Sequence, residues 1–194
     1  WKQKKGYRYV KVRGKAIAVK SISDLYEIVK NHRSSKSILV QKAIDLACIK
    51  GRPFSIRLML MRDGKGEWQY AGMLAKVSGR GSIISNIRRG KGYATTIEDA
   101  LVRSLDYSSD KVEKVKRKLI RIGYDLVEYA VASGYRSYEA GLDLGIDRNG
   151  KIWMIEANLA DPSYKLFDRL EDKTYYERIK HLAEAYKEYK KSLD

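Results

Sequence analysis

The chain has 194 residues, of which 44% are hydrophobic, and it contains 15 Gly and only 2 Pro. This composition is typical of one compact domain or of two tightly joined lobes, and it excludes a disordered tail. The 40 Lys and Arg outnumber the 24 Asp and Glu, so the formal net charge of +16 predicts attraction to phosphates, anionic polymers or acidic surfaces without distinguishing among them.

The chain begins with a basic segment that leads into a predicted hairpin. Residues 1–5 lack the apolar core of a signal peptide and begin with Trp rather than Met, so we expect a fragment of a longer chain. Residues 7–12 alternate apolar and basic side chains, residues 13–15 suit a turn, and residues 16–19 continue in extended form. This pattern predicts a β-hairpin with one strongly basic face.

A short helix and an apolar segment follow the hairpin. Ser21 or Ser23 can cap a helix that ends near Asn31, because apolar residues recur between them at helical spacing. Residues 37–47 predict a strand followed by an apolar turn. The single cysteine, Cys48, excludes both a disulfide framework and a Cys/His zinc site, and it favours a reducing, cytoplasmic compartment.

Two long strands form the centre of the predicted sheet. Residues 54–62 and 67–77 are extended, and the segment 63–66 supplies the glycines that suit a hairpin turn. Antiparallel hairpins with two helices in series between them predict an α+β fold, in which helices pack on one face of an antiparallel sheet. No apolar stretch approaches the ~18 residues needed to cross a bilayer, so we expect no membrane insertion.

A glycine-rich cationic segment and two helices come next. Over residues 78–92, glycines alternate with basic residues around Asn86, which predicts a flexible cationic loop. Thr96 or Ser109 then caps the helical segments that follow. Residues 110–132 carry apolar side chains on one face and Lys or Arg on the other, so this helix is expected to pack on one side only.

The last predicted hairpin carries a cluster of oxygen-bearing side chains. Strands 140–146 and 152–157 flank a turn of the Asn-Gly kind. Asp143 falls opposite Glu156 to within about one register step, and Asn158 shares a face with Glu156. Carboxylate and carboxamide oxygens without Cys or His suit a hard cation such as Mg²⁺. The alternative interpretation is that these side chains merely lie on the wet side of a sheet.

A helix rich in Lys, Glu and Tyr closes the chain over about 173–192. This helix is expected to present a solvated face. The 15 tyrosines of the chain, which include Tyr7, Tyr9, Tyr175, Tyr176, Tyr186 and Tyr189, interleave with Lys and Arg and could stack nucleic-acid bases. Such tyrosines more often cover the half-exposed faces of a domain. Together with the net charge, they leave open a basic, non-catalytic module that binds nucleic acid or an anionic surface polymer.

Several motifs in sequence resemble one enzyme family. Residues 141–143 (Gly-Leu-Asp), with residues 156–158 (Glu-Ala-Asn) thirteen positions beyond Asp143 and Pro162 close behind, resemble the metal-binding signature of ATP-grasp ligases. Residues 53–57 resemble the strand of that family that contains Asp-Ile-Arg. Residues 39–41 (Leu-Val-Gln) resemble its hinge strand, which receives adenine.

Two further segments narrow the resemblance. Residues 82–86, followed by a glycine-rich stretch, and the strand from Trp68 that contains Gly72-Met73 are most similar to the YheC/YheD group of spore-coat-associated ATP-grasp proteins. The match runs from about Lys5 to Pro162 with the motifs in the right order. It implies an ATP- and Mg²⁺-dependent ligase that activates a carboxylic acid as an acyl phosphate, which an amine then attacks.

The resemblance also implies roles for individual residues. Asp143, Glu156 and Asn158 would hold the Mg²⁺ ions that bridge the ATP phosphates. Arg57 would contact the γ-phosphate or the acyl phosphate, for which its planar and permanently charged guanidinium is suited. Asn86 would contact phosphate or metal from the cationic loop.

The nucleotide base is assigned by the same resemblance. Gln41, together with the backbone of Lys42 and Ala43, would meet the adenine edge. The acid and amine substrates are not specified by the sequence. The resemblance adds a spore association to the cytoplasmic location that the lone thiol favours.

The resemblance divides the chain into two parts. Residues 1–194 would form the nucleotide- and Mg²⁺-binding portion, with a partial hinge lobe at 1–50 and a C-terminal lobe with the metal site at 51–194. The family's phosphate-binding lysine, its glycine-rich loop and its N-terminal substrate domain are not found in this sequence. We therefore expect the chain to fold but to show little ligase turnover by itself.

Overall fold

The computed structural model describes residues 2–3, 6–9, 17–31, 42–80 and 92–193 of the chain. The chain divides into two compact units, Trp1–Asp45 and Leu46–Asp194. The functional roles assigned to the lobes 1–50 and 51–194 stay predictions.

The N-terminal unit contains a small antiparallel sheet. Strands β1 (Lys2–Gln3), β2 (Gly6–Tyr9) and β3 (Ile17–Val19) are neighbours in that order. The β2–β3 pairing places Tyr7 opposite Val19, so the predicted hairpin is confirmed. Its turn lies outside the described residues, and its basic face stays a prediction.

Helix α1 (Ile22–Asn31) follows β3 and begins with a reciprocal cap. The Oγ atom of Ser21 accepts a hydrogen bond from the amide of Asp24 at 3.0 Å, and Oδ2 of Asp24 accepts one from the amide of Ser21 at 3.2 Å. Two of the free amides at the helix start are thereby satisfied. Of the two serines that the sequence offers as caps, the structure uses Ser21.

The larger unit is built on an antiparallel sheet, to which the described residues contribute six strands. In spatial order β7, β6, β5, β8 and β9 are neighbours, and β4 pairs with β5. The predicted strands 54–62, 67–77, 140–146 and 152–157 are confirmed, with ends that differ by one or two residues. The strand predicted within 37–47 is not found at 42–47, which are irregular apart from an isolated bridge at Leu46, and residues 37–41 lie outside the described residues. The strands are β4 (Cys48–Ile49), β5 (Arg52–Arg62), β6 (Trp68–Val77), β7 (Tyr93–Thr95), β8 (Glu139–Ile146) and β9 (Ile152–Asn158). Strands β4 and β7 were not predicted.

The same turn closes the β5–β6 and β8–β9 hairpins. In each, an aspartate carboxylate accepts hydrogen bonds of 2.8–3.0 Å from the amides two and four residues later and from a side chain six residues later. The two aspartates are Asp63 and Asp147. The third residue after each is a glycine, Gly66 or Gly150, whose φ of +79° or +80° lies in the left-handed region that glycine tolerates.

These hydrogen bonds favour the charged form of both aspartates. The pKa of Asp63 is lowered chiefly by the amides of Lys65 and Glu67, and that of Asp147 chiefly by the indole N–H of Trp153. Each charged turn therefore helps to fix the register of the hairpin that it closes.

Two helices cover one face of the sheet. Helix α2 (Ile97–Leu105) begins at Thr96, whose Oγ1 accepts a hydrogen bond from the amide of Asp99 at 3.1 Å, and helix α3 (Ser109–Ala132) follows it. Alternate residues of β5 point towards these helices, as the period of a strand requires. The main core at this face includes Ile56, Leu58, Leu60, Ala75, Leu101, Leu119, Val127, Leu142 and Leu144.

The last helix packs on the opposite face. Helix α4 (Thr174–Lys191) and the 3₁₀ turn Phe167–Arg169 bury Met59, Met61, Ala71 and Leu74. The α+β class with an antiparallel sheet is confirmed, but the helices are not limited to one face. Although α4 is strongly polar, buried Ile179 and Leu182 are enough to anchor it.

One glycine allows α3 to lie close to the sheet. A Cβ atom at Gly123 would stand 2.7 Å from both Cδ2 of Leu58 and Cδ1 of Leu60. We expect Gly123→Val to lower the free energy of unfolding by about 1–3 kcal/mol, because it overpacks this contact. Arg121→Val, at an exposed position of the same helix, is the control. Urea unfolding measures both, and equal changes would contradict the close approach.

The charged turns predict a pH dependence. Because the pKa of Asp147 is lowered in the folded state, its stabilising effect is present above the ordinary value of 3.8 and is lost as the pH falls through the folded pKa. The parent chain should therefore be more stable than Asp147→Asn at pH 7, and the difference should shrink below pH 3.8. Urea unfolding as a function of pH measures it, and a difference independent of pH would contradict this assignment.

Candidate functional site

A row of charged side chains crosses the face of the sheet on which α4 packs. Arg57 on β5 pairs directly with Asp143 on β8, and Asp143 pairs directly with Glu156 on β9. Directly opposite residues of antiparallel strands share a face. The structure therefore brings together three of the residues that the sequence singles out, from positions as far apart as 57 and 156.

A bulge sets the register of this row. Leu144 lies opposite Met154, but Asp143 lies opposite Glu156, so Ile155 is the extra residue on β9. Asn158 is paired with Gly141 and shares the face of Glu156. The predicted register, which was defined only to about one step, is thus resolved in favour of Glu156 facing Asp143.

The carboxylate of Asp143 holds two cations. Its Oδ1 accepts a hydrogen bond from Nε of Arg57 at 2.7 Å, and its Oδ2 accepts one from Nζ of Lys76 at 2.6 Å. The three side chains are mostly buried, with exposed fractions of 16% for Arg57, 8% for Lys76 and 14% for Asp143. Charge-assisted hydrogen bonds in such surroundings are short and orient both partners.

Lys76 is the member of this site that sequence reasoning did not assign to it. It lies on β6 and reaches Asp143 across the intervening strand β5. Burial lowers the pKa of Lys76, and the charge of Asp143 opposes that shift. A lysine in an otherwise apolar, central strand was the available signal, because a buried cation requires an anionic partner.

A loop folds back over the row from the end of β9. Nη1 of Arg57 donates a hydrogen bond to the carbonyl oxygen of Ser163 at 3.4 Å. A Cβ atom at Gly141 would stand 2.5 Å from Cβ of Pro162 and 3.1 Å from Nη1 of Arg57. Glycine at position 141 therefore lets Pro162 and Arg57 approach the sheet together.

Glu156 and Asn158 lie at the outer side of the row. Glu156 is exposed, and Oδ1 of Asn158 accepts a hydrogen bond from the amide of Ala160 at 3.0 Å. Both residues line a pocket of about 530 Å³, to which Tyr135, Arg136 and Ser137 also contribute.

These side chains fit a hard cation that is shared with phosphates. Among the described residues, no group of three or more His, Cys, Asp or Glu could hold a metal ion. Asp143 has lone pairs beyond those that Arg57 and Lys76 use, and Glu156 and Asn158 add a carboxylate and a carboxamide. This donor set matches Mg²⁺, which is bound by one or two carboxylates and completes its shell with substrate phosphates.

The structure does not test the roles of the other predicted site residues. Gln41 and Asn86 are outside the described residues. Lys42 and Ala43 are exposed in an irregular segment of the N-terminal unit, so their predicted contact with adenine stays a prediction. Within the described parts of the chain, no helix combines the length and the apolar character that a membrane span requires.

Three comparisons relate the chain to known proteins. The model of the YheC/D-like ATP-grasp family matches residues 1–193. The endospore coat-associated protein YheD of Bacillus subtilis (strain 168) is 29% identical over 175 residues, which cover 84% of this chain and 36% of YheD. The chain thus spans about a third of the length of that relative.

A solved structure is also similar. It is the crystal structure of N5-carboxyaminoimidazole ribonucleotide synthetase from Thermotoga maritima, with 11% identity and a TM-score of 0.36. The similarity covers 88% of this chain and 37% of that one. Such a low TM-score does not define a shared fold, so the family is established by the sequence match.

We call Arg57, Asp143 and Glu156, with Lys76 beside them, the charge row. Its geometry predicts strong energetic coupling between Asp143 and Lys76. Asp143→Asn leaves two mostly buried cations without their carboxylate, so we expect a loss of about 3–5 kcal/mol in the free energy of unfolding. Lys76→Met in the same chain should restore part of it. Urea unfolding of the single and double variants gives the coupling energy.

The control for this prediction is an exposed ion pair. Asp99 contacts Arg103 at 2.9 Å, with side-chain exposures of 35% and 39%, and Asp99→Asn should cost no more than about 1 kcal/mol. Equal losses in the free energy of unfolding for Asp99→Asn and Asp143→Asn would show that burial does not strengthen the ion pairs of the charge row.

Proposed function

This chain belongs to the YheC/D-like ATP-grasp family, and we propose that it therefore binds ATP with Mg²⁺ as part of a ligase that joins a carboxylic acid to an amine. The observation that supports this most directly is the row formed by Arg57, Asp143 and Glu156 with Lys76 beside it. The row combines cations for phosphate with oxygen ligands for a metal on one face of the sheet. The complete reaction is proposed for the longer protein, since the chain spans 36% of YheD.

Arg57 and Lys76 are proposed to bind the transferred phosphoryl group. Asp143 fixes both side chains before any ligand arrives, so little reorganisation is needed when phosphate binds. The guanidinium of Arg57 has further N–H groups beyond the one that Asp143 holds, and these can donate to phosphate oxygens. Lys76 supplies a second positive charge from the neighbouring strand.

Glu156, Asn158 and Asp143 are proposed to hold Mg²⁺ against the phosphates. Bound Mg²⁺ would offset the negative charge that builds up during phosphoryl transfer. Glu156 is suited to this role because it is exposed and lies directly opposite Asp143. Pro162 and Gly141 keep the loop after Asn158 packed beside Arg57, which holds the two halves of the site together.

The proposed chemistry has two steps. A carboxylate oxygen of the acid attacks the γ-phosphorus of ATP, the bond from that phosphorus to the β–γ bridging oxygen breaks, and ADP leaves. An amine then attacks the acyl carbon, inorganic phosphate leaves, and the amine nitrogen loses a proton as the amide forms. Arg57 and Lys76 would stabilise the phosphoryl oxygens in both steps.

The remaining assignments rest on the family alone. Gln41 with Lys42 and Ala43 is proposed for adenine, and Asn86 for phosphate or metal. The identities of the acid and the amine stay open. The name of the relative YheD supports a proposed association of this protein with the endospore coat.

Nucleotide binding tests the proposal. Calorimetry should show that ATP binds this chain at least about tenfold more tightly with Mg²⁺ than with EDTA, because Glu156 and Asp143 bind the metal only beside phosphates. Glu156→Gln should remove most of that difference, since it deletes the one exposed carboxylate of the row. The titration extends to millimolar ATP because weak binding is expected of this chain alone.

The control removes an equivalent charge elsewhere. Glu184→Gln changes an exposed glutamate of α4 and should leave the effect of Mg²⁺ intact. Equal ATP affinity with and without Mg²⁺ would contradict the metal assignment. Absence of ATP binding by the parent chain would favour the non-catalytic basic module instead.

A further inference from the structure

A second cleft lies at the end of β5, and it shares Tyr135, Arg136 and Ser137 with the pocket that Glu156 and Asn158 line. It occupies about 800 Å³ between the end of β5, the residues that follow α3 and the last turns of α4. Arg62 lines it, five residues from Arg57, which corresponds to about 17 Å along a strand. We call it the tyrosine cleft, after the side chains Tyr135, Tyr138, Tyr186 and Tyr189, which line it with Arg136 and Lys190.

The end of α3 presents Tyr135 to this cleft. Gly134 has a φ of +87°, its amide donates to the carbonyl of Val131 at 2.9 Å, and the amide of Tyr135 donates to that of Ala130 at 3.0 Å. These two hydrogen bonds form a Schellman motif, which ends the helix and redirects the chain. Tyr135 is left 63% exposed, so a face of its ring is available to a ligand.

The opposite wall is held by aromatic packing. The rings of Tyr138 and Tyr186 are stacked with centroids 5.1 Å apart and planes at 10°. Tyr189 lies against the β5–β6 turn, since a Cβ at Gly66 would stand 2.9 Å from Cε1 of its ring. These contacts fix the wall, whereas Tyr135 makes no ring contact of this kind among the described residues.

The lining carries cations and no carboxylate. No Asp or Glu is among the described residues that line the cleft, while Arg62, Arg136 and Lys190 are. Arg62 is already used, because its Nε donates to the carbonyl of Ser137 at 3.1 Å and its guanidinium lies 4.8 Å from the ring centre of Trp68. Within the described parts of the chain, the side chains of Arg136 and Lys190 have no hydrogen-bond or ion-pair partner.

These features select among ligands. Neutral sugars are commonly held by carboxylates and carboxamides that accept from their hydroxyl groups, and the lining offers neither. Arginine, lysine and tyrosine side chains instead offer donors and positive charge, which suits an anion. An exposed ring beside unpaired cations is the arrangement by which proteins stack bases and track the backbone of single strands.

We propose that the tyrosine cleft binds a short segment of single-stranded nucleic acid. A base stacks on Tyr135, and the flanking phosphates pair with Arg136 and Lys190. Lys190 lies in the last turn of α4, where a cation also interacts favourably with the helix dipole. Arg136 lies outside any helix, so its charge has no such interaction with a helix dipole. A substitution of Arg136 therefore tests the phosphate contact alone.

The experiment measures fluorescence anisotropy of a labelled hexathymidylate with this chain. EDTA is present to remove any Mg²⁺-dependent binding of the oligonucleotide phosphates at the charge row. Tyr135→Leu should raise Kd about fivefold or more, because stacking on one ring is lost. Tyr135→Phe should keep the affinity to within about twofold, since the ring remains. The matched control is Tyr129→Leu, at a 74% exposed tyrosine of α3 that does not line the cleft.

The salt dependence of binding separates a phosphate contact in the cleft from the attraction exerted by the net positive charge of the whole chain. Each phosphate contact contributes about 0.7 to the slope of log Kd against log salt for single strands. Arg136→Gln should lower the slope by about that amount, and Arg121→Gln, at an exposed position of α3, should not. Thermal melting of each variant establishes that it is folded.

Three results would overturn the proposal. The first is absence of binding by the parent chain at low salt. The second is an equal effect of Tyr135→Leu and Tyr129→Leu, which would leave charge as the whole cause. The third is displacement of hexathymidylate by linear polyphosphate at the same phosphate concentration, which would mean that the cleft recognises an anionic polymer without bases. None of these results bears on the Mg²⁺-dependent binding of ATP.

Discussion

One carboxylate that holds two cations is the constraint on which the charge row depends. Asp143, Arg57 and Lys76 come from three different strands and are mostly removed from water. Burying them is tolerable only if each charge meets its partner, so the register of β5, β6 and β8 has little freedom. The triad carries one net positive charge, and Glu156 opposite Asp143 adds a negative one. In our proposal the two cations receive the phosphoryl group, and Glu156 holds the metal beside it.

The rest of the larger unit holds β5, β6 and β8 in this register. The two turns that begin at Asp63 and Asp147 clamp β5 to β6 and β8 to β9, while the core beneath α2 and α3 fixes the sheet from behind. On the front, helix α4 and the 3₁₀ turn pack on Met59, Met61, Ala71 and Leu74, and the charge row lies on the same face. The front face therefore combines an apolar part, which supplies stability, with a charged part, for which we propose a role in binding.

The sequence predicted local features of this structure well and distant ones poorly. Strands, turns and the facing of Asp143 and Glu156 follow from alternation and turn chemistry, which act over a few residues. The contact of Lys76 with Asp143 spans 67 positions and depends on which strand lies between them, and no periodicity carries that information. The tyrosines show the same limit, since Tyr175 packs in a core cluster whereas Tyr186 lines a cleft on the same helix.

The bulge at Ile155 makes the length of β9 as important as its composition. Strand side chains alternate between faces, so the face on which a residue lies depends on whether its distance from the turn is odd or even. If β9 continued from Met154 without a bulge, Ile155 would lie opposite Asp143, and Glu156 would turn towards the hydrophobic layer under α3. The bulge accommodates the extra residue and keeps Glu156 and Asn158 on the face of Asp143. The site therefore needs the bulge as much as it needs the two oxygen ligands.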